Sequence, residues 1–168
     1  MTAKNLMTRC GAAVLVGALS LALAACGTSK PAQRDEATGE ITASADASVF
    51  DINVGDCLDM SGENTETSVE SEIESLPTVP CDQPHDGEIY AGKELEGDKI
   101  PTDLMTQVEE FCYNEFEPFI GQAYETSSVE IFFLYPQDLS WSQGDRGIQC
   151  VAVATADLVT GSMRGTGI

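Results

Sequence analysis

The chain has 168 residues, of which 8 are basic and 28 acidic, giving a formal net charge of −20. So large an excess of acid excludes a nucleic-acid binder, because phosphates need compensating Lys and Arg. It equally excludes docking on an anionic bilayer through basic contacts, and it favours a well-solvated chain.

At the N-terminus, Lys4 and Arg9 precede an uncharged run from Gly11 to Ala25 that ends in Leu23-Ala24-Ala25-Cys26. This is the pattern of an export signal closed by a lipobox. The run spans 15 residues, short of the roughly 20 that a helix needs to cross the hydrocarbon core. Small residues stand where a peptidase must fit the chain. Residues 1–25 are therefore read as a lipoprotein signal peptide, with Cys26 carrying a diacylglyceryl thioether and a further acyl chain such as palmitate. Two or more chains suffice for stable anchoring, so the expectation is a protein held by lipid on the outer face of the cell membrane. Loss of the signal leaves six basic against 28 acidic side chains, a formal charge of −22.

Residues 26–48 are small and polar, with almost no large apolar side chain. They read as the lipidated cysteine followed by a flexible linker. Residues 49–168 are then one extracytoplasmic domain of ordinary size. Val49 to Val54 alternates imperfectly and stops at Gly55-Asp56, which suggests a first strand and a turn. Residues 59–78 are rich in Glu, Ser and Thr and read as an acidic surface loop lacking the order of a calcium-binding EF-hand. Gly87 to Lys93 has strand character, with Ile89 on one face and Tyr90 on the other, and is expected to pair with the first strand.

From Leu104 the period changes. Leu104, Val108, Phe111, Cys112, Glu115 and Phe119 recur at spacings of three and four, one face of a helix. Thr102 is the expected N-cap, Gly121 an end signal, and Pro118 a residue that could cut the helix at Glu117. Val129 to Tyr135 is the most β-prone stretch, and Gly147 to Ala154 is its predicted partner, with a connection over 137–145 that holds Trp141, the only tryptophan. One main helix on a small, mostly antiparallel sheet is an α+β fold.

Beyond Cys10 and Cys26, four cysteines remain: Cys57, Cys81, Cys112 and Cys150. An even number in an oxidising compartment reads as two disulfides rather than a metal knuckle, since no C-x-x-C pair is present. Three connectivities are open. A helix carrying Cys112 packed on a sheet carrying Cys150 favours Cys112–Cys150 with Cys57–Cys81 as the local pair, staples worth about 3 kcal/mol or more each.

The one histidine, His85, lies in Cys81-Asp82-Gln83-Pro84-His85-Asp86. Beside Asp86 it could act as a base or metal ligand, or it could order the turn after Cys81. No Gly-x-Ser-x-Gly elbow accompanies it. Asp138 and Asp145 could be offered as glycosidase carboxylates, but a chain so acidic always contains such pairs. Trp141 reads either as core or as a stacking anchor. With no complete catalytic constellation and no cofactor signal, the chain reads as a non-enzyme.

The order of features from Val54 on resembles the septum formation domain of exported actinobacterial proteins. The resemblance rests on Val54-Gly55-Asp56-Cys57, on Val79 to Tyr90 with its Cys-x-x-Pro-His element, on Cys112, and on Pro136 to Arg146 with Trp-x-x-Gly-Asp-Arg leading to Cys150. It implies a disulfide-bonded extracytoplasmic domain linked to cell division, with no catalytic residues to carry over. His85, Trp141, Asp145 and Arg146 would be shared framework or binding residues, with Arg146 paired to nearby acids and His85 close to the same network. The expected partners are the membrane through Cys26 and envelope or division proteins, with no nucleic acid. The alternative is a ligand- or metal-binding lipoprotein that uses His85 and acidic side chains.

Overall fold

The computed structural model describes residues 31–61 and 73–168. The signal segment, Cys26 and most of the acidic loop lie outside the described residues. The elements in chain order are β1 (Gln33–Arg34), β2 (Ile41–Ala43), β3 (Ala45–Ser48), β4 (Cys57–Leu58), β5 (Ser75–Val79), β6 (Gly87–Glu94), α1 (Leu104–Ile120), a 3-10 turn (Tyr124–Thr126), β7 (Val129–Leu134), α2 (Asp138–Ser142) and β8 (Gly147–Ala154). β1 and β2 pair with each other, and the other six strands form one antiparallel sheet in the order β3-β5-β4-β6-β8-β7. The α+β expectation is met.

Side-chain alternation divides the sheet between two cores. In β8, Ile148, Cys150 and Ala152 join Val108, Cys112 and Phe116 of α1 beneath the helix. Val151 and Val153 face the other way, with Leu58, Leu76 and Ile89. That second core also takes Ala47 from one edge strand and Phe132 from the other. The sheet curls on itself, so both of its faces are dry although only one is covered by a helix. Ile89 and Tyr90 do point to opposite faces, and the register shift between Ile89 and Ala91 puts Tyr90 and Ala91 together on the helix side.

The helix buries Leu104, Val108, Cys112, Phe116, Phe119 and Ile120. Phe116 takes the buried place expected of the exposed Glu115. Asp103, not Thr102, precedes the helix, without a side-chain cap. Pro118 does not end it: α1 runs on to Ile120 and stops at Gly121, whose φ is 85°. Pro118 sits in the last turn, and the Asn114 carbonyl that its missing N–H leaves free belongs to an exposed residue.

Two boundaries need correction. The predicted linker is part of the fold from Gln33 on, with β3 pairing residue for residue along β5 from Ala45↔Thr78 to Ser48↔Ser75. Small side chains suffice there because an edge strand contributes backbone bonds and only Ala47 to the core. The domain therefore begins before residue 49. Val49 to Val54, expected as a strand, is a turn segment: Asp51 N–H donates to Ser48 O (2.8 Å) and Asp56 N–H to Asn53 O (3.0 Å). Its alternation misleads because only Ile52 is buried, while Phe50 and Val54 are 64% and 52% exposed. Within the expected acidic loop, Met60 is buried and β5 occupies its C-terminal end.

Candidate functional site

The motif residues gather at the two ends of the β6–β8 ladder. At one end, Gly55 adopts φ 97°, which only glycine tolerates easily, and its N–H donates to Ile89 O (2.7 Å). Asp56, 4% exposed, then accepts both Arg34 guanidinium nitrogens at 2.6 Å and the Asn53 N–H at 2.7 Å. This is the one salt bridge among the described residues. The hydrogen bond from Arg34 to Asp56 raises the guanidinium's pKa beyond its already high value. Cys57, next in sequence, is bonded to Cys81.

His85 is 1% exposed. Its backbone exchanges hydrogen bonds with Val159 (3.0 and 2.8 Å), and its Nδ1 lies 2.7 Å from Gln83 O. A carbonyl can only accept, so Nδ1 carries the proton. Nε2 has no hydrogen-bond partner among the described residues. Glu88, 3% exposed, accepts from Ser162 Oγ (2.7 Å) and Met163 N–H (2.6 Å). Asp86 accepts from Met60 N–H (2.5 Å). This stretch thus clamps the C-terminal segment and the chain after β4 onto the sheet. His85 orders the turn after Cys81, as one sequence reading had it, and one of its ring nitrogens lies within 4.8 Å of a Glu88 carboxylate oxygen.

At the opposite end, Trp141 is buried in the helix-side core and its indole N–H reaches Asp98 O (3.3 Å). Gly144, at φ 103°, turns the chain so that the Asp145 N–H donates back to Ser140 O (3.0 Å). The Asp145 carboxylate accepts from Gly147 N–H (3.0 Å). Arg146 stacks on the Trp141 ring at 3.7 Å and donates to the Trp141 and Asp145 carbonyls (2.9 and 2.6 Å). The expected pairing with an acid is replaced by this stacking, which suits a planar, weakly hydrated guanidinium. Arg146 and His85 do not share a network. Seven residues of β6 separate their ends of the ladder, about 23 Å at 3.3–3.4 Å per residue.

Both sequence-predicted disulfides, Cys57–Cys81 and Cys112–Cys150, are present. Sequence reasoning missed Arg34, because it lay in the supposed linker, and Glu88, hidden among 28 acids.

Two concavities adjoin these ends. Beside the Trp141 turn, where β3 and β7 finish and β8 begins, lies a groove of ≈ 330 Å³. Phe50 and Leu139, 64% and 57% exposed, line it together with Tyr135, Gln137, Gln143 and Gln149. Gln149 Oε1 has no partner among the described residues. Beside the His85 end, a wider cleft of ≈ 1090 Å³ runs between the Arg34 loop and the C-terminal segment, reaching Cys81 and Glu88.

The sequence profile of the septum formation family matches residues 19–155. The chain belongs to the septum formation family. That membership carries a role in cell division or the envelope, and an envelope location. The matched range includes β1 to β3, in keeping with the earlier start of the fold, and ends before the segment that His85 and Glu88 hold. No curated protein and no solved structure matches the chain. Among the described residues no helix is long and apolar enough to cross a membrane.

Proposed function

We propose that this family member is a non-enzymatic, lipid-anchored module that binds a protein partner of the division or envelope machinery through the groove beside the Trp141 turn. The observation that carries the reading is the pair of exposed apolar side chains, Phe50 and Leu139, flanking a preformed concavity. The sheet forms one side of it, and the turn that carries the Trp141–Arg146 stack forms the other. An apolar side chain of the partner would settle between Phe50 and Leu139, with Gln137, Gln143 and Gln149 bonding its backbone. Glu74 and Asp145 also line the groove, so a neutral or basic partner segment is favoured over an acidic one.

The anchoring part of the reading rests on the lipobox before Cys26. The test is imaging of the full chain, carrying a tag that fluoresces outside the membrane, in dividing cells. Enrichment at the division site, abolished by deleting residues 31–168 with the first 30 kept, is the expected result. Release of a Cys26→Ser variant from the membrane fraction is expected alongside. Uniform peripheral signal throughout the cell cycle would remove the division reading.

A further inference from the structure

The cleft at the His85 end holds an arrangement that the division role does not use. One donor atom from each of Cys57, His85 and Glu88 lies within 4.8 Å of the others, and all three residues are buried. His85 has the preparation of a metal ligand: Nδ1–H is tied to a backbone carbonyl, which aims the lone pair of Nε2 into the interior, where no hydrogen-bond partner among the described residues meets it. A buried acceptor left unmade costs about 1–3 kcal/mol. Glu88 is likewise held by Ser162 and Met163, the outer support that ligating carboxylates have. What disqualifies the site as it stands is Cys57, whose sulfur is bonded to Cys81 and so is not a thiolate.

We propose that reduction of the Cys57–Cys81 disulfide turns the cleft floor into a zinc(II) site whose ligands are Cys57 Sγ, Cys81 Sγ, His85 Nε2 and a Glu88 carboxylate oxygen. Two thiolates, an imidazole and a carboxylate are a tetrahedral zinc set. With metal–ligand bonds of 2.0–2.3 Å, tetrahedral ligands stand roughly 3.3–3.8 Å apart, so the Cys57, His85 and Glu88 donors need to close by about 1 Å, and Cys81 Sγ, released from its 2.00 Å bond to Cys57, must turn in as the fourth. Cys81 is only half-buried and lines the open cleft, as Glu88 does, which gives both reductant and metal a way in. The reductant is a dithiol. One of its thiolates attacks Cys81 Sγ and expels Cys57 as thiolate; its second thiol displaces the mixed disulfide, leaving Cys81 as thiolate and the reductant as a disulfide. Two electrons pass to the protein, and zinc takes the place of any protons on the two sulfurs. The Cys112–Cys150 bond, buried at both ends, lies outside this chemistry. The proposal is independent of the division role.

The test is titration of the full chain with zinc(II) alone, before and after phosphine reduction, with alkylation and mass spectrometry to record which cysteines were opened. The oxidised protein is expected to take up no stoichiometric zinc and the reduced protein one ion per chain. His85→Ala and Glu88→Gln, which keep every thiol, should each weaken binding by about tenfold or more. X-ray absorption at the zinc edge of the reduced, unsubstituted protein should report two sulfur and two nitrogen or oxygen neighbours. A four-sulfur shell, equal uptake by the oxidised protein, or unchanged affinity in both variants would overturn the proposal.

Discussion

The two disulfides close loops of 24 and 38 residues, and chain entropy alone makes them nearly equal, about 3.5 and about 4 kcal/mol. Their surroundings are not equal. Cys112 and Cys150 are both fully buried between helix and sheet, beside Val108 and Phe116. Cys57 is buried, but Cys81 lines a polar cleft with Glu88 and Asp56. The same bond serves as a core staple in one region and as the floor of a cleft in the other, and only the packing tells them apart.

The largest effect that would break this comparison is removal of each bond in turn. The Cys112→Ala/Cys150→Ala pair should lose about 5 kcal/mol, because voids in the core add to the loop term, while Cys57→Ala/Cys81→Ala should lose about 3.5 kcal/mol. Denaturant unfolding of both variants measures this, and equal losses would mean that packing contributes nothing. A smaller effect sharpens the cleft side. Arg34→Ala strands the buried Asp56 carboxylate and should cost about 2–3 kcal/mol, whereas a residue in a free linker would cost nothing. Smallest is the core side. Burial raises the Tyr90 phenol well above its ordinary value, and its O–H donates to Cys112 O (2.7 Å). The unfolded phenol ionises near pH 10, so its contribution is complete below that pH. It is lost above it at about 1.4 kcal/mol per pH unit. Tyr90→Phe should cost about 1 kcal/mol at neutral pH and flatten the alkaline limb of the stability curve.

The sequence made legible whatever depends on strong local pattern. The period of α1, the β-rich run of β7, its partner β8 and both cysteine pairings could all be read from it. It hid what depends on distant partners. β3 contains no large side chain, so its place in the sheet comes from backbone pairing with β5, whose partners lie 27 residues (Ser48↔Ser75) to 33 residues (Ala45↔Thr78) further on. Arg34 looked like linker because its partner, Asp56, lies 22 residues on. The Trp141 turn was recognised as framework, but stacking rather than an ion pair satisfies Arg146, a choice set by where the indole face ends up. The groove was illegible for a like reason: Phe50 and Leu139 are far apart in sequence and come to line one groove because the sheet curls.

That groove is the centre of the functional account, and it has a direct test. A Phe50→Asp/Leu139→Asp variant of the full chain changes two exposed side chains and should keep its disulfides and its melting temperature to within a few degrees, as surface substitutions do. Imaged in dividing cells beside the unsubstituted protein, it should stay at the envelope and lose its enrichment at the division site. Undiminished enrichment in a folded variant would contradict the account.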